Sequence, residues 1–183
     1  EGETLSKLCY AITGGRGKLR LDQKSNEMEN DTTWKLLMMS TSNQSLLDKL
    51  ASNKQDASAE SLRVFEYKIT RVQDLIDPKR TFDYKLAENF GHAGEIFLEY
   101  IMPRLDEVRR LVQQQFDDFD KFAGMKNQER YWSAVAASVL SAGIITNKLG
   151  LTKFDLSAIR DFALEQVNHM RGIVTDNKRP ALQ

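Results

Sequence analysis

The sequence predicts an α+β chain that is predominantly helical, with a few strands gathered before about residue 85 and helices after it. Three observations carry this. Short apolar stretches, "KLRLD", "TTWKLLMMST" and "LRVFEYKIT", lie in the first part of the chain, where glycines and polar runs separate them. From about Leu86 onward the apolar residues recur at three and four positions, the period of a helix face. The later stretches are also punctuated by residues that open and close helices, Asp155 at one start, Gly150 and Gly172 at two ends.

In chain order, "TLSKLCYAI" places Leu5, Leu8, Cys9 and Ile12 at helical spacing after Thr4, an N-cap residue type, and Gly14 and Gly15 stop the helix. "KLRLD" sets Lys18 and Arg20 against Leu19 and Leu21. "TTWKLLMMST" follows the polar run "QKSNEMEND" and is apolar on both faces, so the two read as strands of a hairpin or long loop, the second buried on both sides. A short helix from about Ser45 precedes "LRVFEYKIT", which alternates as a third strand. Beyond "DPKR" one long helix with a bend at Pro103 carries Ala93, Ile96, Phe97, Tyr100, Leu105, Val108, Leu111, Val112 and Phe116 on one face. A second presents Tyr131, Trp132, Val135, Ala136, Val139, Leu140 and Ile144 inward and ends at Gly150; a third opens at Asp155 and stops near Gly172. The division is therefore 1–85, mixed, and 86–183, helical.

Composition narrows the function. Lys and Arg number 26 and so do Asp and Glu, so no overall positive field recruits nucleic acid or anionic lipid, and any such contact is local. Cys9 is the single cysteine and His92 and His169 the two histidines, a set that does not build a Cys/His zinc site and suits a reducing cytoplasm. No apolar run approaches the roughly 20 residues that span a bilayer, and the N-terminus has no signal-peptide pattern. The absence of an initial Met points to a piece of a longer protein.

The glycine-rich run "YAITGGRGKLRL" invites comparison with the phosphate-cradling loop G-x-x-x-x-G-K-[ST]. Gly17 and Lys18 match, but Leu19 replaces the Mg²⁺-binding hydroxyl and Ile12 the first glycine. A glycine turn feeding a strand fits better. Arg16, Lys18, Arg20 and Lys24 cluster charge on the projected hairpin, a spacing that suits contact with a phosphate backbone, although a solvated strand pair has the same pattern. The polar tip Ser40, Thr41 and Asn43 follows an expected buried strand, where ligands collect in α/β sheets and where plain turns also collect Ser and Asn. Arg63 enters the third strand, where a guanidinium can project from the domain edge toward a neighbouring nucleotide or simply meet solvent. Asp117, Asp118 and Asp120 flank Phe116 and Phe119 on an amphipathic helix and read as its solvated face, and His92 and His169 lack partners for chemistry.

Taken in order, the glycine-terminated helix, "GKLRL", "WKLLMMSTSN", "ASAESLRVFEYKI", "GHAGEIFLEYIMPRL" and "ERYWSAVAASVLSAGII" resemble the back half of phage and mobile-element primase-helicase ATPases, of the domain-of-unknown-function kind related to superfamily 3 and AAA+ helicases. The resemblance covers most of the chain and rests on motif order. It implies a partial AAA+/RecA-like sheet in 1–85, comprising basic hairpin, sensor-1 strand and arginine-finger strand, and a helical lid or appended helical domain in 86–183. It implies that Ser40, Thr41 and Asn43 form the sensor-1 tip, that Arg63 is an arginine finger acting on the adjacent subunit, and that Lys18 and Arg20, flanked by Arg16 and Lys24, touch DNA. Arg104 or Arg130 would serve as a second sensor. The Walker A and B segments would lie upstream of Glu1, so ATP and Mg²⁺ belong to the parent protein, a ring-forming homo-oligomer on single-stranded or duplex DNA, cytoplasmic and without a membrane. The expectation is thus a fragment of an ATP-driven replicative DNA helicase or primase-helicase, inactive alone. The alternative is a non-catalytic helical scaffold or DNA-binding adaptor.

Overall fold

The computed structural model describes residues 2–17, 20–21, 28–29, 32–52, 58–69, 88 and 90–176. Helix α1, Gly2–Gly14, begins ahead of Thr4, so that residue lies inside it and not at its cap. It stops where Gly15 takes φ 66°, a left-handed conformation open to a residue without Cβ. The chain then enters a narrow antiparallel ribbon. Strand β1, Arg20–Leu21, faces β2, Met28–Glu29, with Arg20 opposite Glu29 and Leu21 opposite Met28, and Arg16 bridges Thr33 in the same register. The base of the ribbon is closed by Gly17 N–H donating to Thr32 C=O at 2.7 Å and Trp34 N–H to Gly15 C=O at 2.9 Å.

This ribbon is the whole of the strand pairing among the described residues, and the expected α+β architecture with a partial AAA+/RecA-like sheet is not what they form. The reasons are local. The run expected as a doubly buried strand pairs with no strand among the described residues, and Leu36, Leu37, Met38 and Met39 stand 59%, 63%, 55% and 85% exposed. In "LRVFEYKIT" the first residues go into a turn instead, Arg63 N–H donating to Glu60 C=O at 2.9 Å and Val64 N–H to Ser61 C=O at 3.1 Å, which closes a four-residue helix α3, Ser58–Ser61, that periodicity did not reveal. The hairpin reading survives only as the ribbon, and its return strand comes from the polar run that the sequence assigns to a loop.

The remaining regular structure among the described residues is helical. Helix α2 is Leu46–Ser52, α4 His92–Ile101, α5 Leu105–Ala123, α6 Arg130–Lys148 and α7 Leu156–Asp176. The expected bend at Pro103 is a 3-10 turn, Met102–Arg104, between α4 and α5. Gly124 (φ 57°) ends α5 and Gly150 (φ 72°) follows α6; the sequence marks Gly150 but not Gly124, and Gly172, read as a stop, lies inside α7.

The chain divides into two compact units. One comprises Glu1–Glu66 and Val167–Gln183. In it α1 packs on α2 and α3, and Leu47, Leu50, Val167, Met170 and Val174 are buried. The other is Tyr67–Gln166, in which α5 and α6 form the main helix pair. Its buried side chains include Phe119, Trp132, Ala136, Ala137, Leu140, Ile145 and Ala163. Gly143 on α6 leaves room for Leu156 at the start of α7: a Cβ there would meet Leu156 Cδ2 at 2.7 Å. Of the residues expected inward on α6, Val139 is 47% exposed, because the buried face is set by Trp132, Ala136 and Leu140, one helical step aside.

Candidate functional site

The chemistry-bearing residues that the fold gathers most tightly lie where α1 meets α3. Residues 6, 9 and 10 share a face of α1 by the helical period, and α3 with its closing turn supplies Glu60, Ser61 and Arg63. Glu60 is 1% exposed, and Ser6 Oγ donates to its Oε1 at 2.5 Å. The Arg63 guanidinium lies over the Tyr10 ring, 4.4 Å from its centroid, and Nη1 donates to the Ala59 carbonyl. Burial pushes the Cys9 thiol up; the Glu60 carboxylate pushes the same way, while Arg63 and a backbone hydrogen bond oppose them. A thiol held protonated is a poor nucleophile, and no histidine stands in the cluster to activate Ser6. The arrangement clamps α1 to α3 through a satisfied buried carboxylate and a stacked cation.

Each residue named from the sequence has a definite place. Arg63, expected as a finger into a neighbouring subunit, is half-buried, engages Tyr10 and Ala59 of its own unit, and sits in a turn and not on a strand. Ser40, Thr41 and Asn43 are exposed in a segment without helix or strand, Asn43 at a bend, so they do not cap a paired strand. Arg16 is exposed at the base of the ribbon, and the backbone of Arg20 is in β1; Lys18 and Lys24 lie outside the described residues. Arg104 Nη1 donates to Tyr100 C=O at 3.0 Å and its guanidinium covers the Tyr100 ring at 4.6 Å, while Arg130 lies 5.2 Å from the Tyr131 centroid. Asp117 and Asp118 are exposed, as a solvated face requires, but Asp120 is half-buried with its Oδ1 out of solvent; His92 and His169 are exposed. Among the described residues no three of His, Cys, Asp and Glu gather as a metal site.

ATP and Mg²⁺, which the resemblance assigns to the parent protein, do not fit the glycine run itself. A phosphate loop presents free backbone N–H groups to the ligand, whereas Gly17 N–H is donated to Thr32 and a Cβ at Gly15 would stand 3.0 Å from Trp34 C=O. The run is the base of a ribbon, and no step of nucleotide chemistry is derived through it.

Two long-range contacts that hold the first unit have no counterpart in the sequence pattern. Glu66 Oε2 accepts from Leu46 N–H at 2.7 Å and Leu47 N–H at 3.2 Å, capping α2 from twenty residues away, and Glu66 N–H points at Met170 Sδ at 3.5 Å. A carboxylate inside an alternating apolar pattern carries no local capping signal.

The described helices include none long and apolar enough to cross a membrane. No family model, curated protein or solved structure matches the chain.

Proposed function

We propose that this chain works by binding, as a non-catalytic helical adaptor that receives an amphipathic helix of a partner protein within a larger assembly. The observation that supports this reading is α4. Its sequence is largely apolar, yet none of its ten residues is buried. Leu98 and Met102, four positions apart on one face, are 53% and 61% exposed, and Leu105, just beyond the 3-10 turn, is 42% exposed. An apolar helix face left in water marks an interaction site, and helix in groove or helix on helix is the usual way such a face is covered. Glu95 and Glu99, both exposed, rim it, which favours a partner helix with basic flanks.

A second reading follows from the resemblance: a segment of an ATP-driven replicative helicase or primase-helicase that places Arg16 and Arg20 on DNA, in an oligomeric, cytoplasmic parent. The observation that favours it is the ribbon, whose single register brings both arginines onto one strand, a two-stranded form that can enter a DNA groove. Against it, the sequence from 16 to 33 holds as many acids, Asp22, Glu27, Glu29 and Asp31, as bases, so it has little net charge to offer phosphate.

Phosphate release from Mg-ATP by the purified chain tests the non-catalytic claim. The adaptor reading expects no turnover above a protein-free blank. Turnover that disappears in Lys18→Ala would overturn it.

A further inference from the structure

Tyr100, near the end of α4, holds two cations and no acid. Arg104 Cζ stands 4.6 Å over the face of its ring, with Nη1 donating to the Tyr100 carbonyl at 3.0 Å. Lys148, the last residue of α6, donates from Nζ to the Tyr100 hydroxyl at 2.8 Å. The same nitrogen is 5.3 Å from the ring centroid, so it stands beyond the hydroxyl end of the ring and not over a face. All three residues belong to the unit Tyr67–Gln166; Tyr100 is half-buried and both cations are exposed. Among the described residues no carboxylate pairs with either cation, and the phenol proton meets no acceptor.

This leaves positive charge uncompensated locally in a chain that has as many acids as bases. The face of the Tyr100 ring attracts Arg104, but the ring edge is the positive part of its quadrupole and offers Lys148 nothing beyond the hydrogen bond. Two like charges held round one phenol repel each other, and an anion between them removes the repulsion. The unused donors border the same space beside the hydroxyl: the Arg104 N–H groups not spent on the carbonyl, the two ammonium protons that Lys148 keeps, and the phenol O–H. A carboxylate would satisfy one of the two charges and leave the other. A phosphate monoester brings nearly two negative charges and three acceptor oxygens to three donor groups, whereas a phosphodiester brings a single charge.

We propose that Arg104, Lys148 and the Tyr100 hydroxyl form an anion site for the dianionic head of a phosphate monoester. Because both cations are exposed, the site receives a terminal phosphate from solution and needs no enclosing cavity. It is separate from the apolar face of α4, since Leu98, Met102 and Leu105 take no part in it.

The test titrates the full chain, labelled with nitrogen-15, with N-acetyl-phosphoserine amide, with glycerol 3-phosphate and with dimethyl phosphate, and follows the amide and arginine side-chain resonances. The expected result is saturable binding of the two monoesters, with the largest shifts at Tyr100, Arg104 and Lys148, and binding of dimethyl phosphate weaker by about tenfold or more. The tighter of the two monoesters tells whether a phosphorylated side chain or a small phosphorylated molecule is the source. Arg104→Gln and Lys148→Gln should each weaken monoester binding by about tenfold, and Tyr100→Phe, which keeps the ring under Arg104, by about threefold or more. Lys153→Gln, at an exposed lysine outside the cluster, should leave binding unchanged, and all four variants should keep the circular dichroism of the wild type. The proposal is overturned by monoester binding that does not saturate by about 10 mM, by shifts centred elsewhere, by dimethyl phosphate binding as tightly as the monoesters, by Arg104→Gln or Lys148→Gln binding as the wild type does, or by Lys153→Gln weakening binding as much as they do.

Discussion

Ser133 and Ser141 bring hydroxyls into the buried face of α6, 0% and 1% exposed, where neither Oγ meets a hydrogen-bond partner within the protein. Leaving a buried hydroxyl unpaired costs about 1–3 kcal/mol, and alanine is the better helix former. Ser141→Ala should therefore stabilise the chain by about 1 kcal/mol, a rise in Tm of roughly 2–4 °C by calorimetry; a fall in Tm would mean that the hydroxyl is satisfied. Asp155 behaves oppositely, being exposed and fully used. Its Oδ1 accepts from Ser157 Oγ at 2.7 Å, Ser157 N–H at 3.0 Å and Ala158 N–H at 3.2 Å, and these bonds, the Ser157 hydroxyl first, hold its carboxyl below the ordinary range. Because the folded pKa is depressed, the cap's contribution is present above the unfolded pKa of about 3.9 and is lost as pH falls through the lower folded value. A carbon-13 NMR titration should place the Asp155 midpoint below that of a free aspartate, and Ser157→Ala should move it back up. Arg63→Lys tests the clamp: an ammonium cannot lie flat on Tyr10, and the loss should be about 0.5–1 kcal/mol in urea denaturation.

At the scale of elements, helix ends decide most of what holds. Asn147 closes α6 by reading the loop beyond it: its Nδ2 donates to Phe154 C=O at 2.8 Å, while its Oδ1 accepts from Phe154 N–H at 2.8 Å and from Thr152 Oγ1 at 2.7 Å. Asn147→Ala removes three bonds at once and should cost about 1–3 kcal/mol, with Asn147→Asp recovering only the two that its oxygen accepts. Urea curves of the three proteins check this order. Such ends were partly legible in the sequence. Gly150, Asp155, Ser45 and Pro103 each carry a local signal, and the helices fall where those residues put them. The strands were not legible, because an apolar run states that it must be buried and not by what. "WKLLMMST" contains no information about whether a neighbouring strand exists, and Glu66, inside a run that alternates like a strand, is a cap for a helix it does not touch in sequence. The residues read as a sensor tip, Ser40, Thr41 and Asn43, depended on that strand for their placement.

For the molecule as a whole, two helical units contain the buried residues, and among the described residues apolar side chains stand exposed at 36–39 and on one face of α4. A chain that leaves a whole apolar helix unburied is stable only if the rest of its core suffices, so charge placed on that face should leave folding unaffected and change binding alone. Leu98→Lys, Met102→Lys and Leu105→Lys together make the direct test of the adaptor reading. The wild-type chain and this variant are each recovered from the cells that make the protein, and the proteins retained are compared by isotope-ratio mass spectrometry at equal circular dichroism and Tm. At least one retained protein with a basic amphipathic helix is expected, reduced tenfold or more by the three lysines. Identical retained sets from the two chains would contradict it.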